Sequence, residues 1–241
     1  MSWLAREGVV RRVVDGALRG SAPVVFGGPG MGKTTVVEAA AARLREQGIA
    51  VVVLEHGDEE DQAQSAPDSV CLRSGGLALH RALVRAKADG VLDGRPLQRV
   101  PLVPLLRRDL RAWAAAAGYA FPESELERAF GVSGGHPFVF SAWLDACRFT
   151  RVPAAVETRV RDACAPIFAR IDRDLAHPEL APLWAWIAEA RNASIDAMRR
   201  AVAATKPALD RLSIAGPVSR TLGAKAEIAA SCELYLRHCS R

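Results

Sequence analysis

Hydrophobic residues in the first hundred positions fall into short continuous runs separated by longer stretches of helical periodicity. The short runs are rich in Val, Ile and Leu, as buried strands are, and predict strands at residues 23–26, 49–54, 69–73 and 100–105. The stretches between them carry apolar residues three or four positions apart and predict helices at residues 4–18, 34–47 and 77–88. Residues 90–96 are predicted to form a loop. Strands that alternate with helices predict an α/β fold, with a mostly parallel sheet covered by helices.

From residue 105 onward the pattern becomes helical. Apolar stripes and terminal signals predict four helices, at residues 106–117, 122–131, 138–149 and 154–175. Pro122, with acidic residues directly after it, is typical of a helix start, and Gly131 of a helix end. This segment is therefore predicted to be an all-helical unit.

The remaining residues predict a small mixed unit. Three helices are expected at residues 180–190, 194–203 and 206–212, the second with Ser194 as its N-cap. Two short strands, at 214–221 and 224–230, and a closing helix at 232–239 follow. Three helices followed by a β-hairpin are typical of a winged helix.

The stretch between the first predicted strand and its helix carries the clearest chemistry. Residues 27–34 fit G-x-x-x-x-G-K-[ST], the phosphate-binding P-loop. Glycines allow the backbone to approach a phosphate closely and to direct N–H groups at it, and a helix N-terminus adds partial positive charge. Lys33 is placed to reach the terminal phosphates of ATP and to assist catalysis, and Thr34 to ligate Mg²⁺. The predicted nucleotide-binding residues of this loop are Gly28, Pro29, Gly30, Met31, Gly32, Lys33, Thr34 and Thr35.

Charge and cysteine content indicate which cellular compartment and which kinds of binding partner to expect. The net charge is +5, and the excess lies from Arg148 onward, where 15 Lys and Arg stand against 10 Asp and Glu. This balance is compatible with nucleic acid or with an acidic partner. The five cysteines form no C-x-x-C pair, and their odd number argues against a disulfide framework. Neither a signal-peptide core nor an apolar run of membrane length is present, so we expect a cytoplasmic protein with no membrane partner.

With these motifs in view, the chain resembles the AAA+/STAND branch of P-loop ATPases, including its archaeal and origin-recognition-like members. The P-loop is the most specific feature. Residues 132–138, VSGGHPF, look like the GGxP element of the family's helical lid, and residues 102–115 look like the passage from the last strand into that lid. Arg6 and Glu7 resemble part of an opening motif that packs near the adenine.

The resemblance implies a fold, a domain division and further ligand contacts. The expected fold is a P-loop NTPase parallel sheet, reduced to about four strands, with a helical lid and a C-terminal winged helix. The expected domains are the nucleotide-binding core (1–105), the lid (106–177) and the winged-helix domain (178–241). His136 and Pro137 are expected to contact bound ATP at its adenine.

One departure from the family pattern concerns hydrolysis. The family's core has a strand that ends in Asp-Glu, where Asp helps to hold Mg²⁺ and Glu activates water, and no predicted strand ends in this way. Either that strand has been deleted, or the strand at 49–54 carries the acids itself, with Glu55 or Asp58 near the metal. In the first case Arg73 or Ser74 of the next strand could reach the γ-phosphate.

These observations predict an ATP-binding regulatory or assembly protein with slow or absent hydrolysis. It would act as a nucleotide-held switch for a protein partner or effector on another chain. One alternative is an active ATPase, with Lys33 and Glu55 as catalytic residues, completed by nucleotide-dependent oligomerisation. Another is a DNA-binding regulator that acts through the winged helix, where the available cations are Lys206, Arg211, Arg220 and Lys225.

Overall fold

The structure is a computed structural model, and it describes residues 6–56, 69–85, 90–203, 205–216, 218–220 and 227–239. Internal contacts separate the chain into two compact units. The first consists of Met1–Gly27 and Gly32–Leu102, and the second of Gly28–Met31 and Val103–Arg241. The predicted three-domain division stays a prediction. None of the helices in the described ranges combines the length and the apolarity needed to cross a membrane.

The first unit is an α/β layer built on one sheet, as predicted. Its elements in chain order are α1 (Glu7–Leu18), β1 (Ala22–Phe26), α2 (Lys33–Glu46), β2 (Val51–His56), β3 (Val70–Gly75), α3 (Leu77–Arg85), β4 (Val91–Leu92) and β5 (Arg95–Pro101). The sheet order is β2-β3-β1-β5-β4, and the first four of these strands are parallel. Only β4 is antiparallel. The parallel part therefore has four strands, as predicted, but the fourth, β5, shares only residues 100 and 101 with the strand expected at 100–105.

Burial explains why these segments form these elements. Every residue of β1 is buried, which is usual for a central parallel strand covered on both faces. Helix α2 buries the stripe Val36, Val37, Ala40, Ala41 and Leu44, which has the spacing of one helix face. Glu7 of α1 and Arg43 of α2 form a bidentate ion pair, with both N–O distances 2.7 Å. The two helices thus pack side by side on one face of the sheet.

The expected loop at residues 90–96 is instead a β-hairpin. Asp93 and Gly94 both have positive φ, 52° and 75°, as a two-residue turn between antiparallel strands requires. Strand β5 begins directly after this turn and pairs with β1 from Leu97 to Pro101. The prediction placed its start too late, because it depends on continuous apolar runs and polar residues interrupt β5. Asp-Gly is a strong hairpin signal and could have revealed the turn.

The second unit is mainly helical. Its elements are α4 (Arg107–Ala116), α5 (Glu123–Ser133), α6 (Pro137–Phe149), α7 (Pro153–Leu175), α8 (Ala181–Ala190), β6 (Asn192–Ser194), α9 (Ile195–Val202), α10 (Lys206–Ala215), β7 (Val218–Arg220), β8 (Glu227–Ala230) and α11 (Glu233–Cys239). The three strands form an antiparallel sheet in the order β6-β8-β7. Residues 221–226, between β7 and β8, lie outside the described residues.

Two details of the C-terminal segment differ from the prediction. The strand expected from residue 214 was wrong at its start, because Ile214 and Ala215 are the last turn of α10 and both are buried. Burial against neighbouring helices outweighs the strand preference of a single β-branched residue. Strand β6, only three residues long, was not predicted. The predicted N-cap is confirmed, because Ser194 Oγ accepts a hydrogen bond from Ala197 N at 3.1 Å.

The turn between α5 and α6 fixes how several segments of the second unit meet. Gly134 and Gly135 have φ values of 58° and 76°, a region that residues with a Cβ rarely adopt. A Cβ built on Gly134 would lie 1.4 Å from the carbonyl oxygen of Ser231. One built on Gly135 would lie 2.1 Å from the carbonyl oxygen of Leu105, whose N–H donates to Gly135 O at 2.8 Å. Only glycine fits at either position.

We expect Gly134→Ala to lower the free energy of unfolding by more than about 2 kcal/mol, because it adds a backbone clash to left-handed strain. Gly131→Ala is the matched control. Gly131 lies inside α5 with no atom within 4 Å of a Cβ, so alanine there should stabilise by about 0.5–1 kcal/mol. Urea unfolding of the two variants measures both effects. Equal stability of the two variants would contradict the packing of this turn.

Thiol reactivity gives a second check on the core. All five cysteines are free, and Cys164 and Cys232 are buried. Burial raises the pKa of each of these two thiols to about 12. Because the thiolate is the reactive form, we expect neither to react with iodoacetamide at pH 8 unless the protein unfolds. Mass spectrometry of the alkylated native protein measures this, and rapid labelling of either residue would contradict the packing.

Candidate nucleotide-binding site

The loop between β1 and α2 has the backbone geometry of a phosphate cradle. Gly30 and Gly32 have φ values of 72° and 83°, and Met31 N donates to Gly28 O at 3.3 Å, which folds the loop back on itself. Gly32 is the N-cap of α2, and Lys33 is the first residue of that 14-residue helix. The motif's lysine and hydroxyl residue thus stand in the first turn, where the helix dipole favours an anion.

Two observations show that this loop fits a phosphate. Within the described residues, the Gly30 N–H donates to no protein acceptor, so it is available to a ligand oxygen. A Cβ on Gly30 would lie 2.8 Å from His136 Cε1 and 2.9 Å from Phe138 Cβ, so the loop keeps this conformation only with a residue that has no side chain at this position. When bound, Mg-ATP would supply the transferable phosphoryl group. Lys33 would bind its phosphates, and the Thr34 hydroxyl would be available to the metal.

Residues Gly28–Met31 pack within the second unit. His136 Nε2 lies 3.0 Å from the carbonyl oxygen of Pro29, and the His136 side chain is only 2% exposed. A Cβ on Gly28 would lie 3.0 Å from the carbonyl oxygen of Ile214, at the C-terminal end of α10. The middle of the predicted P-loop is therefore held by both α6 and α10. Sequence reasoning missed Phe138 and the end of α10 as neighbours of the loop, since neither carries a motif.

His136 and Pro137 stand at the start of α6. His136 is the N-cap, and Pro137 is the first helical residue, a position that tolerates proline because its N–H would have no partner. Both are buried. The predicted contact of these two residues with adenine stays a prediction, and what the structure shows is the hydrogen bond of His136 to the loop backbone.

Glu55 lies at the carboxyl end of edge strand β2 and is exposed. It is in register with Ser74 of β3, which is in register with Val25 of β1. Residues in register across parallel strands share a face of the sheet, and neighbours along a strand alternate. Gly75 faces α3, because a Cβ there would lie 2.6 Å from Leu79. Ser74 and Glu55 therefore face the opposite side.

That opposite side is the one covered by α1 and α2. Gln98 of β5 contacts Gly16 of α1 and is in register with Pro23, which shares a face with Val25. Glu55 thus stands on the α2 face and at the carboxyl edge, where β1 leads into the P-loop. Two strand spacings separate β2 from β1, or about 10 Å. A catalytic role for Glu55 stays a prediction, and Asp58 lies outside the described residues.

The described residues hold no group of three or more His, Cys, Asp or Glu that could bind a metal ion. The metal contact that the motif offers is therefore the single hydroxyl of Thr34, which suits a metal that arrives with its nucleotide and keeps several waters.

The other polar residues considered from the sequence have different surroundings. Arg73 faces the α3 side of the sheet and forms an ion pair with Asp93 of the β4–β5 turn, at an N–O distance of 2.5 Å. Ser74 is buried, with 2% of its surface exposed. Glu7 binds Arg43, and this hydrogen bond lowers the pKa of the carboxyl group. Arg6 is buried at the N-cap of α1.

The parallel sheet, the glycine loop after its central strand and the helix that follows define the P-loop NTPase fold. A Walker-type ATPase of Pyrococcus abyssi has the same fold, with a TM-score of 0.64 at 13% sequence identity. The alignment covers 96% of this chain and 95% of that chain. At this identity the likeness shows the fold alone.

Two further solved structures are less similar. A RuvB variant of Thermotoga maritima gives a TM-score of 0.41 at 14% identity, covering 96% of this chain and 92% of that one. A STAND protein of Pyrococcus horikoshii with a tetratricopeptide repeat sensor gives 0.38 at 10% identity, covering 96% and 42%. Both scores are too low to support an inference. No protein-family model matches the chain, and no curated protein is significantly similar.

Gly30→Ala tests the packing of the loop without any ligand. Gly30 and Gly32 both have positive φ, but only Gly30 has neighbours within 4 Å of a Cβ. Gly32→Ala therefore measures backbone strain alone, about 1 kcal/mol, and Gly30→Ala adds crowding by His136 and Phe138. We expect Gly30→Ala to cost at least about 1 kcal/mol more than Gly32→Ala in urea unfolding. Equal costs would show that the loop does not pack on these side chains.

Proposed function

We propose that this protein binds Mg-ATP through the glycine loop and acts as a regulatory or assembly switch with slow or absent hydrolysis. The observation that carries the proposal is the loop itself, with an N–H at Gly30 that has no acceptor in the described part of the chain. Lys33, at the start of α2, supplies the positive charge that terminal phosphates need. The cytoplasmic location and the partner protein on another chain belong to this proposal.

Slow hydrolysis is proposed from the placement of Glu55 and from the lack of a predicted strand that ends in Asp-Glu. Transfer of a phosphoryl group to water needs a residue that orients the water, besides the groups that neutralise charge. Glu55 lies on the face and at the edge of the sheet where β1 leads into the loop. However, β2 is two strands from β1, and the Glu55 side chain is exposed. An exposed carboxylate at a sheet edge is less well held for orienting a water molecule than one fixed inside a site.

We further propose that the C-terminal segment is a winged helix with an intramolecular role. The order α8-β6-α9-α10-β7-β8 supports this assignment, as does the antiparallel sheet. The C-terminal end of α10 packs on Gly28, and Arg211 of α10 is ion-paired with Glu179. Because α10 makes these contacts inside the chain, few of its groups remain to bind a DNA backbone. The DNA-binding alternative is therefore the weaker one. Lys225 lies outside the described residues.

Completion of the site by a neighbouring subunit is the other alternative. The exposure of Glu55 at a sheet edge favours it, because an exposed carboxylate is accessible to a second copy of the chain. In that case hydrolysis should rise with protein concentration and coincide with a larger sedimentation coefficient in Mg-ATP.

The binding claim is tested with Lys33→Ala. We expect the wild type to bind a fluorescent ATP analogue in the presence of Mg²⁺ and the variant to bind at least about tenfold more weakly, because a charge-assisted phosphate contact is lost. Thermal melting of both proteins without nucleotide serves as the folding control. Equal affinity in a folded variant would refute the proposal.

Phosphate release from Mg-ATP, with Lys33→Ala as the blank, tests the hydrolysis claim. We expect little or no release above the blank, and no effect of Glu55→Gln, because the Glu55 side chain is exposed at the sheet edge. Turnover that disappears in Glu55→Gln would instead assign this residue the water-activating role and favour the active-ATPase alternative.

A further inference from the structure

The hydrogen bond between His136 and Pro29 joins the GGHP turn to the middle of the phosphate loop. The Pro29 carbonyl can only accept a hydrogen bond, so His136 must carry its proton on Nε2. The pair is separated by 107 positions in the sequence, and the side chain is 2% exposed. A hydrogen bond in such a position is protected from competition by water.

The bond fixes the direction of one peptide plane. The structure contains no cis peptide bond among its described residues, so the Pro29–Gly30 peptide is trans. In a planar trans peptide the C=O and the N–H point in opposite directions. Because the Pro29 carbonyl points at His136, the Gly30 N–H points away from it. Reversing this peptide would take that N–H out of reach of any ligand on its present side.

His136 is itself held rigidly. Gly135, directly before it, accepts a hydrogen bond from Leu105 N, and Pro137, directly after it, has its φ fixed by its ring at the start of α6. Ser133 O accepts from His136 N at 2.9 Å.

Two apolar side chains close the space into which the loop could relax. A Cβ on Gly30 would lie 2.9 Å from Phe138 Cβ and 3.3 Å from Ile167 Cγ2. The backbone at Gly30 is therefore confined on the side that faces α6 and α7.

We infer that His136 is a positioning residue for phosphate recognition. Its Nε2–H holds the Pro29 carbonyl and thereby directs the Gly30 N–H at the β- and γ-phosphates of the bound nucleotide. This role needs no contact of His136 with the nucleotide, and it rests on the proposed function. It also links the occupancy of the loop to the start of α6, since the same side chain belongs to both.

Three variants separate this role from a structural one. His136→Leu removes the donor and keeps an apolar side chain, whereas His136→Gln keeps an N–H donor. Trp143→Phe is the matched control, because it disturbs the buried side of α6 without touching Pro29. Trp143 is 2% exposed, and its indole Nε1 has no hydrogen-bond partner among the described residues, so phenylalanine loses no hydrogen bond.

The experiment measures affinity for Mg-ATP and for inorganic pyrophosphate, together with the melting temperature. We expect His136→Leu to weaken both affinities about tenfold or more, His136→Gln to stay within about threefold of wild type, and Trp143→Phe to lower the melting temperature only. Selective ¹⁵N labelling of the 19 glycines gives a direct readout. The Gly30 amide, assigned with Gly30→Ala, should shift on adding pyrophosphate in the wild type and not in His136→Leu.

The outcomes are distinguishable from failure of the proposed function. If the wild type binds neither ligand, both proposals fall. If it binds them through Lys33 while His136→Leu matches it in affinity and in the Gly30 shift, only the positioning role is refuted. If His136→Leu does not fold, the ¹⁵N spectrum of His136 in the wild type tests the proposal instead. An Nε2 without a proton between pH 6 and 8 would overturn the proposal.

Discussion

Two adjacent glycines with left-handed backbone, Gly134 and Gly135, set the constraint on which the second unit depends. Because neither carries a Cβ, the backbone of Ser231 and that of Leu105 can both approach the turn. The turn also starts α6 at Pro137 and places His136 against the carbonyl oxygen of Pro29. The tip of the phosphate loop, with its left-handed Gly30, is thus held by side chains from a helical unit. Under the proposed function, this arrangement would link occupancy of the loop to the start of α6.

Most of the fold could be predicted from the sequence, because strands and helices are indicated by local patterns of hydrophobic residues. Runs such as residues 49–54 and periodic stretches such as 34–47 predicted the parallel sheet and its helices. The errors occurred where local preference and tertiary packing disagree. Ile214 favours a strand by itself, yet its burial keeps it in α10. Short edge elements such as β4 carry too few residues to show a period.

The candidate site could be predicted only in part, because some of its contacts are local in the sequence and others are not. The P-loop is contiguous, so its eight residues could be assigned from their spacing alone. The contacts that hold the loop come from residues more than a hundred positions away, and no spacing rule gives them. His136 was noticed through its motif, and its expected contact with adenine stays a prediction, but its hydrogen bond to the loop backbone was not predicted. The position of Glu55 relative to β1 depends on sheet order, which emerges only when the strands are assembled.

The most direct test of the link between the phosphate loop and α6 is amide hydrogen–deuterium exchange with and without Mg-ATP, in the wild type and in Lys33→Ala. We predict slower exchange in the wild type at residues 28–35 and also at the first turns of α6, because His136 joins the two segments. Neither change should occur in the variant. Protection that is absent from both segments would contradict nucleotide binding, and protection confined to residues 28–35 would contradict the link through His136.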